Sequence, residues 1–595
     1  MLKKWVVRPE PPVDFINSHP ELPPIVARLL WNRGLKTQEA HDEFLNPDYL
    51  ADIHDPFLFR DMNRAVDIIF DAIAQNKKIV VHGDYDADGV CAAAILMKTL
   101  KKIGAKNLTV FLPSRQNEGY GLNLNTIKTF VEQKNDLLIT CDCGITNVEE
   151  VKAAKDAGLS VIISDHHTPP ETLPPADAII HTFQPNETYP DKGLAGAAVA
   201  FKLAQGLLKK HQATNSVLPD GQPHEAFEKW LLDMVAIATI GDMVPLLGES
   251  RTLVRYGLTV LNKTRNAGLR QLLVAASLID ESGKPKRNSF DAETVSFQIV
   301  PRLNAAGRMD HANTAYALLM SEDKQEAEKL ALMLNQNNVD RQKMTEQLVD
   351  RAIKQINSID QSKNYVLFFS DEALSVGIAG LIAGKIKDVY NKPAIAIGLG
   401  GDETTGSGRS IPEFNIMDAL RSMPEFFSKF GGHPQACGFS LKSRGDLEKF
   451  QSAMNERASK IIAGADLTPK ILLDAEINLE DVDWKLYDIL QKFEPFGARN
   501  EEPLYTARNL TITEINPVGT DGKHLKLMVR HNSHLVRKTI AFGFGDVNKH
   551  PLDWKNILHP GDKIDLVFTV GVNEWNGNRE LELSVKDMRV SELLV

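Results

Sequence analysis

Four short apolar runs, KKIVVHGD, LTVFLPSR, DLLITCDCG and LSVIISDHH, recur between Lys77 and His167, each ending in polar residues and followed by a helix-compatible segment. Near-continuous apolar runs of this length belong to strands buried on both faces, and strands that alternate with helices build a parallel sheet. The intervening GVCAAAILMKTLKKIG and NVEEVKAAKDAG fit the crossover helices, each stopped by a glycine. The fold class is therefore α/β, and the polar run ends should emerge together at the sheet edge where such folds bind ligands.

The rest of the chain divides by its patterning. Residues 1–50 read as a helical appendage, with LPPIVARLLWNRG and KTQEAHDEFLNP as a hairpin whose second helix Thr37 caps, Glu39 lying in the first turn. Residues 51–320 form the main α/β domain, and 321–360 a connecting helix, because residues 310–360 read as almost unbroken helix. Residues 361–467 form a smaller α/β lobe, with strands at YVLFF and PAIAIG and then a Gly-rich region containing GSGRS and FGGHPQACGF. Residues 468–595 are β-rich: HLKLMV, RKTIAFGF, KIDLVFTV and ELELSV alternate apolar with polar, and Asn576-Gly577 stands where a hairpin turn belongs. A small barrel or sandwich is expected there.

With 595 residues, 43% of them apolar and 25% charged, the chain is too long for a single binding module and too apolar for a disordered protein. Its most apolar stretch, Leu231 to Leu247, carries Asp233 and Asp242, so no membrane span is expected, and the N-terminus reaches Pro and Glu before a secretory h-region can form. The cytoplasm is the expected compartment. Four cysteines in no paired zinc spacing leave Cys141 and Cys143 as packing residues beside a strand. A net charge of −10 argues against a non-specific polycation but not against a local basic groove.

The chemistry concentrates at the run ends. HGDYDADG sets His82, Asp84, Asp86 and Asp88 at every second position. Three carboxylates crowded at a partly dry site repel one another unless a cation neutralises them. A solvated acidic loop is the bland reading, and an EF-hand the other, but the later Glu of a calcium loop is missing, with Leu96 and Lys98 in that region. TCDCGI adds Asp142, ISDHHT adds Asp165, His166 and His167, and TIGDMVPL adds Asp242. Carboxylate and imidazole without thiolate suit Mn²⁺, or Mg²⁺, better than structural zinc. There are ligands enough for two ions, the arrangement that clamps both oxygens of a phosphoryl displacement. Phosphoester hydrolysis is the implied reaction.

HGDYDADG, CDCGI, SDHH and GDMVPL resemble the four successive motifs of the DHH phosphoesterase superfamily. That resemblance implies one ion held by His82, Asp86 and Asp142, and a second by Asp88, Asp142, His166 and Asp242, with Asp142 bridging. It leaves Asp84 as an additional acid of the catalytic set. Asp165 becomes the acceptor that orients a metal-bound imidazole, and His167 faces the scissile phosphate to stabilise its developing charge.

Several further segments bear on the substrate. Arg115 and Tyr120 lie in LPSRQNEGYGLN, able to contact a phosphate and stack on a base, and Arg302, Asn304 and Arg308 lie in QIVPRLNAAGRM. Arg409 and Ser410 in GSGRS, and His433 behind two glycines, are candidate contacts of the smaller lobe, which resembles the superfamily's associated substrate-binding lobe. Residues 519–550 hold six Lys or Arg against two Asp, and Lys526 and Arg530 share the face opposite Leu525, Leu527 and Val529. A basic barrel suits single-stranded nucleic acid, for which OB-like folds provide a charged groove, so residues 468–595 are expected to be an OB-like β-barrel. From about residue 20 onward the set resembles the superfamily's single-stranded-DNA-specific exonucleases. This implies a monomeric 5′-to-3′ enzyme releasing 5′ mononucleotides in DNA recombination and repair, beside a helicase and a single-strand-binding protein. A phosphodiesterase of short oligonucleotides or cyclic dinucleotides needs no barrel, a pyrophosphatase still less, and a catalytically dead DNA-binding scaffold has no use for six intact ligand positions.

Overall fold

The apolar runs form strands, those at Ile79–Gly83, Leu137–Cys141 and Ser160–Ser164 buried on both faces and that at Leu108–Phe111 half-buried at the sheet edge. The computed structural model describes residues 3–115, 118–286, 289–358, 364–401, 403–531, 533–547, 550, 552–575 and 578–591. Two compact units result, residues 49–467 and residues 1–48 with 468–595. Strand β1 (Lys4–Val7) belongs to the second of these.

In the larger unit, β2 (Ile79–Gly83), β3 (Leu108–Phe111), β4 (Leu137–Cys141), β5 (Ser160–Ser164) and β6 (Ala178–Ile180) make a wholly parallel sheet in the order β3-β2-β4-β5-β6. Alternate residues feed two cores. Ile79, Val81, Ile139 and Ile162 face the helices Ala87–Lys102 and Gly196–Gln212, while Val80, Leu138, Val161 and Ile163 face Ile127, Phe130 and Val151. Helix Ala87–Lys102 is buried almost all round, which explains its apolar composition. The register aligns Gly83, Cys141, Ser164 and Ile180 in one row, so Asp84, Asp142, Asp165 and His181 step off the sheet together. The strand order reverses between β2 and β4, and that gap is where such sheets bind ligands.

The helical stretch expected over 310–360 is two helices, Asn313–Met320 and Lys324–Asn357, because Asp323 turns out of the first and its carboxylate caps Glu326 of the second at 2.8 Å. Beyond it, β7 (Leu367–Asp371), β8 (Ala394–Gly398), β9 (Thr405–Arg409), β10 (Phe427–His433) and β11 (Ala436–Leu441) form a sheet ordered β10-β11-β9-β8-β7. The Gly-rich region is thus strand rather than loop. A Cβ on Gly406 would lie 2.2 Å from the Phe439 ring, and one on Gly408 2.7 Å from Cys437 Sγ; these glycines make room for cross-strand neighbours.

In the smaller unit β12 (Lys470–Leu473) pairs parallel with β1, residue for residue from Lys4↔Lys470 to Val7↔Leu473. The N-terminal segment is therefore no separate appendage. Trp5 Nε1 donates to Asp587 at 2.8 Å, Arg33 Nε donates to Asn500 at 2.7 Å, and Phe44 packs edge-on against Phe493. Its hairpin is as expected, helices Pro24–Asn32 and Gln38–Leu45, with Thr37 accepting from the Ala40 amide. Strand β13 (Ala475–Glu476) leads into a closed five-stranded barrel of β14 (Tyr505–Val518), β15 (His524–Arg530), β16 (Val536–Ala541), β17 (Lys563–Trp575) and β18 (Asn578–Val590), closed by β14 with β17. β15 alternates as expected, with Leu525, Leu527 and Val529 inward. The turn at Asn576-Gly577 lies outside the described residues. Among the described residues no helix is long and apolar enough to cross a membrane.

Candidate metal centre and its basic flank

Helix Ala87–Lys102 begins on the acid motif itself. Asp86 is its N-cap, accepting from the Asp88 and Gly89 amides at 2.9 and 3.2 Å, and Asn304 accepts from the Ala87 amide at 2.7 Å. Gly89 is required because a Cβ there would lie 2.5 Å from the Asp84 backbone. Asp88 is held by the start of helix Gly196–Gln212, whose Gly196 and Ala197 amides donate to its two oxygens at 2.8 and 2.7 Å. Asp142 follows β4 in a left-handed conformation (φ 61°), which turns its carboxylate back over the sheet edge.

Three groups of side chains come together here: Asp84, Asp86 and Asp142; Asp88, His166 and Asp242; Asp142, His166 and His167. Within each, the donor atoms lie within 4.8 Å of one another. His166 Nε2 stands 3.3 Å from Asp142, 3.5 Å from Asp242 and 3.8 Å from Asp88. Burial, then the charge of His167, lowers the His166 imidazole to about 4, so it is neutral at pH 7. His82 is lowered to about 4 by burial alone. The acids go the other way. Burial and mutual repulsion push Asp84 and Asp142 well above the usual carboxylate range, Asp88 to about 7 and Asp242 to about 8. His82 Nε2, His166 Nε2, Asp84 Oδ1 and Asp142 Oδ1 are all buried without a hydrogen-bond partner. Buried acceptors without partners, those of His166, Asp84 and Asp142 grouped with other donors, are what a site for divalent cations requires, and this donor set fits Mn²⁺ or Mg²⁺; His82 lies outside the three groups.

Around this centre the roles differ in part from expectation. Asp165 orients His167 rather than His166: its Oδ1 accepts from His167 Nδ1 at 2.8 Å and from both histidine amides, while Oδ2 accepts from Ile145 N at 3.0 Å. Tyr120, 40% exposed, places its hydroxyl 2.9 Å from His167 Nδ1. His181, which the sequence did not single out, lies 2.7 Å from the His167 carbonyl through Nε2. Cys141 and Cys143 pack on the His82 carbonyl at 3.6 and 3.8 Å, as packing residues do.

A cluster of guanidiniums flanks the acids. Arg115 stacks 4.8 Å over the Tyr85 ring and acts electrostatically on Asp84, Arg308 and Arg409. Burial, then Arg115 and Arg341, lowers Arg308 to about 9. Arg302, also lowered by burial and Arg341, donates to Asn335 at 2.9 Å. Arg341 was missed in the sequence because helix Lys324–Asn357 is rich in charge, where one more arginine looks solvated. Asn338, buried on the same helix, accepts from it at 2.9 Å. Arg308 donates to the Gly377 carbonyl at 2.7 Å and so ties the sheet domain to the second lobe.

Not every candidate faces a ligand through its side chain. Asn304 accepts from the Ala87 amide through Oδ1, and Ser410 is buried, donating to the Phe414 carbonyl at 2.6 Å. These are braces of a helix start and a turn. His433, exposed, shares a row with Ala436 and Arg409 across the second sheet. Lys526 lies 3.8 Å from Glu582 and Lys538 pairs with Glu580, so the barrel partly answers the charge of its own ribbon; Arg530 ends the same face of β15.

Models of three families match the chain: the DHH family, N-terminal domain, over residues 78–239; the DHHA1 domain over 341–460; and the RecJ OB domain over 473–587. It is 36% identical over 597 residues to the single-stranded-DNA-specific exonuclease RecJ of Bacillus subtilis, covering 99% of this chain and 71% of that protein. Crystal structures of RecJ from Thermus thermophilus superpose in complex with Mn²⁺ (TM-score 0.80, 28% identity, 99% of this chain and 80% of that one) and with Mg²⁺ (0.74, 25%, 99% and 79%). With all three modules present in order and identity sustained along its length, this chain belongs to the RecJ family.

Proposed function

We propose that the protein is a metal-dependent exonuclease of single-stranded DNA, acting from the 5′ end to release 5′ mononucleotides in DNA recombination and repair. The observation that carries this is the pairing of unpartnered buried acids and imidazoles with a guanidinium cluster: one half suits divalent cations, the other a polyanion. In this reading His82, Asp86 and Asp142 hold one ion, and Asp88, Asp142, His166 and Asp242 the other. The chemistry such ions supply is charge stabilisation at phosphoryl oxygens and activation of water.

The chain's own groups do the rest. Arg115 and Arg308 bind the backbone phosphates, with Arg409 and His433 on the second lobe and the β15 face of the barrel as further contacts. Asp84 stands beside Asp86 as an additional acid. His167 donates from Nε2 to a nonbridging oxygen, its Nδ1 fixed by Asp165 and Tyr120. A cytoplasmic monomer working beside a helicase and a single-strand-binding protein fits this reading.

Release of label from 5′- and 3′-labelled single strands, beside duplex, RNA and a dinucleotide, with Mn²⁺, Mg²⁺ or chelator, tests it. Metal-dependent mononucleotide release from 5′ ends of single strands is expected; cleavage confined to dinucleotides would move the function to short oligonucleotides.

Asp165→Asn should shift the pH profile. Burial disfavours a charged His167, but the hydrogen bond and charge of Asp165 outweigh it and raise the imidazole to about 9. Protonated His167 is then lost as pH rises through about 9. Without the carboxylate that loss moves toward neutrality, and kcat/KM at pH 8 falls roughly 10- to 100-fold. An alkaline limb that stays where it is in the wild type would contradict the pairing.

A further inference from the structure

His181 stands where Asp84, Asp142 and Asp165 stand, one residue past a buried strand of the parallel sheet, yet it belongs to none of the three groups of metal-ligating side chains. Beyond β5 the Asp165 amide still donates to the Ile180 carbonyl of β6 at 3.2 Å. One step further the link between the two chains passes to a side chain. The Phe183 amide donates to His181 Nδ1 at 2.9 Å, so Nδ1 carries no proton. The proton of the neutral ring is therefore on Nε2, which donates to the His167 carbonyl at 2.7 Å.

The ring is itself held firmly. It is fully buried, and the segment carrying it is anchored at two points: Gln184 Nε2 donates to the Ile179 carbonyl at 2.9 Å, and Lys192 Nζ to the Thr182 carbonyl at 2.8 Å. His181 can thus serve as a post. What it holds is the backbone of His167, whose amide donates to Asp165 Oδ1 at 3.1 Å and whose Nδ1 lies 2.8 Å from the same oxygen. Amide, carbonyl and ring are three separate fixings, and together they set the direction in which His167 Nε2 points. His166 is held differently. Its amide also donates to Asp165, at 2.7 Å, but its ring bonds the backbone of Leu194.

We propose that His181 is a positioning residue of the reaction: it fixes the His167 peptide so that the imidazole meets a nonbridging oxygen of the scissile phosphate, without touching substrate or ion itself. The assignment rests on the reading of His167 as a donor to that phosphate. A reacting group misplaced by about 1 Å forfeits on the order of 100-fold in rate, so one buried bond to the His167 carbonyl has a large lever on turnover. A buried imidazole with both nitrogens bonded can also serve packing alone. Here the two roles separate, because the two bonds of the ring go to different stretches of backbone, one in the segment after β5 and one in the segment after β6.

Two substitutions each keep one of these bonds. In His181→Gln the terminal amide nitrogen takes the place of Nε2 and still donates to the His167 carbonyl; in His181→Asn the side-chain oxygen takes the place of Nδ1 and still accepts from Phe183. Each loses one buried bond, so their melting temperatures should fall alike. With the full chain, Mn²⁺ and single-stranded DNA, kcat should drop about 10- to 100-fold in His181→Asn and recover to within about threefold of the wild type in His181→Gln. KM and Mn²⁺ affinity should stay within about twofold in both, since His166 keeps its own anchor. In a His167→Ala background, His181→Asn should cost a further factor below about two, because nothing is left to position. Equal kcat losses in the two variants, a Mn²⁺ affinity that falls in step with kcat, or an undiminished loss in the His167→Ala background would overturn the assignment. Independently of any substitution, ¹⁵N spectra of histidine-labelled wild type should show His181 protonated at Nε2, and a proton on Nδ1 instead would overturn it too. Wild-type turnover in His167→Ala would remove the phosphate role on which the assignment rests, and failure of the wild type to release any nucleotide would remove the exonuclease reading beneath both.

Discussion

Asp142→Asn should abolish hydrolysis, lowering turnover by at least about 10³-fold, while making the chelated protein more stable. Both effects come from one cause. Burial, then Asp88, Asp86, Asp84 and Asp242, push the Asp142 carboxyl well above its ordinary range. The folded protein consequently holds protons that the unfolded chain releases near pH 4, and by linkage its stability falls as pH rises from there through the folded values. Asp88 at about 7 and Asp242 at about 8 extend this loss into the neutral range. Melting curves in chelator should therefore decline between pH 5 and pH 8, flatten when Mn²⁺ is added, and decline less steeply in Asp142→Asn. Near-normal turnover in the variant would refute a bridging role for Asp142, and a chelated melting temperature indifferent to pH would refute the repulsion.

The acid centre was legible because most of its parts stand at or just past the end of a buried parallel strand, where an apolar run stops abruptly at a charge; Asp242 instead ends the apolar helix Leu232–Gly241. No comparable contrast marked the rest. Gly406 and Gly408 sit in a strand only because Phe439 and Cys437 occupy the space their side chains would take, and neither neighbour is visible in GSGRS. The pairing of β1 with β12 joins Lys4 to Lys470, a contact no local pattern encodes. Ser410 illustrates a further limit: a polar residue beside a Gly-rich turn reads as a ligand contact, yet its hydroxyl is used up on a backbone carbonyl. Arg341 is the opposite case, a guanidinium among many charges on a long helix, made conspicuous only by its action on Arg308 and Arg302.

LAGAAVA reads as an unremarked helix start, yet Gly196→Ala should damage the centre nearly as much as losing a ligand. A Cβ at Gly196 would lie 2.4 Å from Asp142 Oδ1 and 2.6 Å from its Cβ and Cγ. Asp142 has little room to yield, being buried and set in a left-handed turn directly off β4. Any shift of the helix start instead draws the Gly196 and Ala197 amides away from Asp88, which accepts from both. Those amides stand at the positive end of the helix, so Asp88 would lose hydrogen bonds and a favourable field together. Mn²⁺ affinity should fall at least about tenfold and kcat/KM on the order of 100-fold. The same overlap should also lower stability, since overpacking a buried site costs roughly 1–3 kcal/mol against the roughly 0.5–1 kcal/mol by which alanine within a helix is favoured over glycine. Gly206→Ala is the matching control: on the same helix its Cβ would meet the Met62 thioether at 2.9 Å, a flexible neighbour that can move aside. Titration of Mn²⁺ into the two variants distinguishes them. Equal affinities would mean that the close approach at Gly196 serves packing alone; a loss confined to Gly196→Ala would mean that the helix start was shaped to hold the acids.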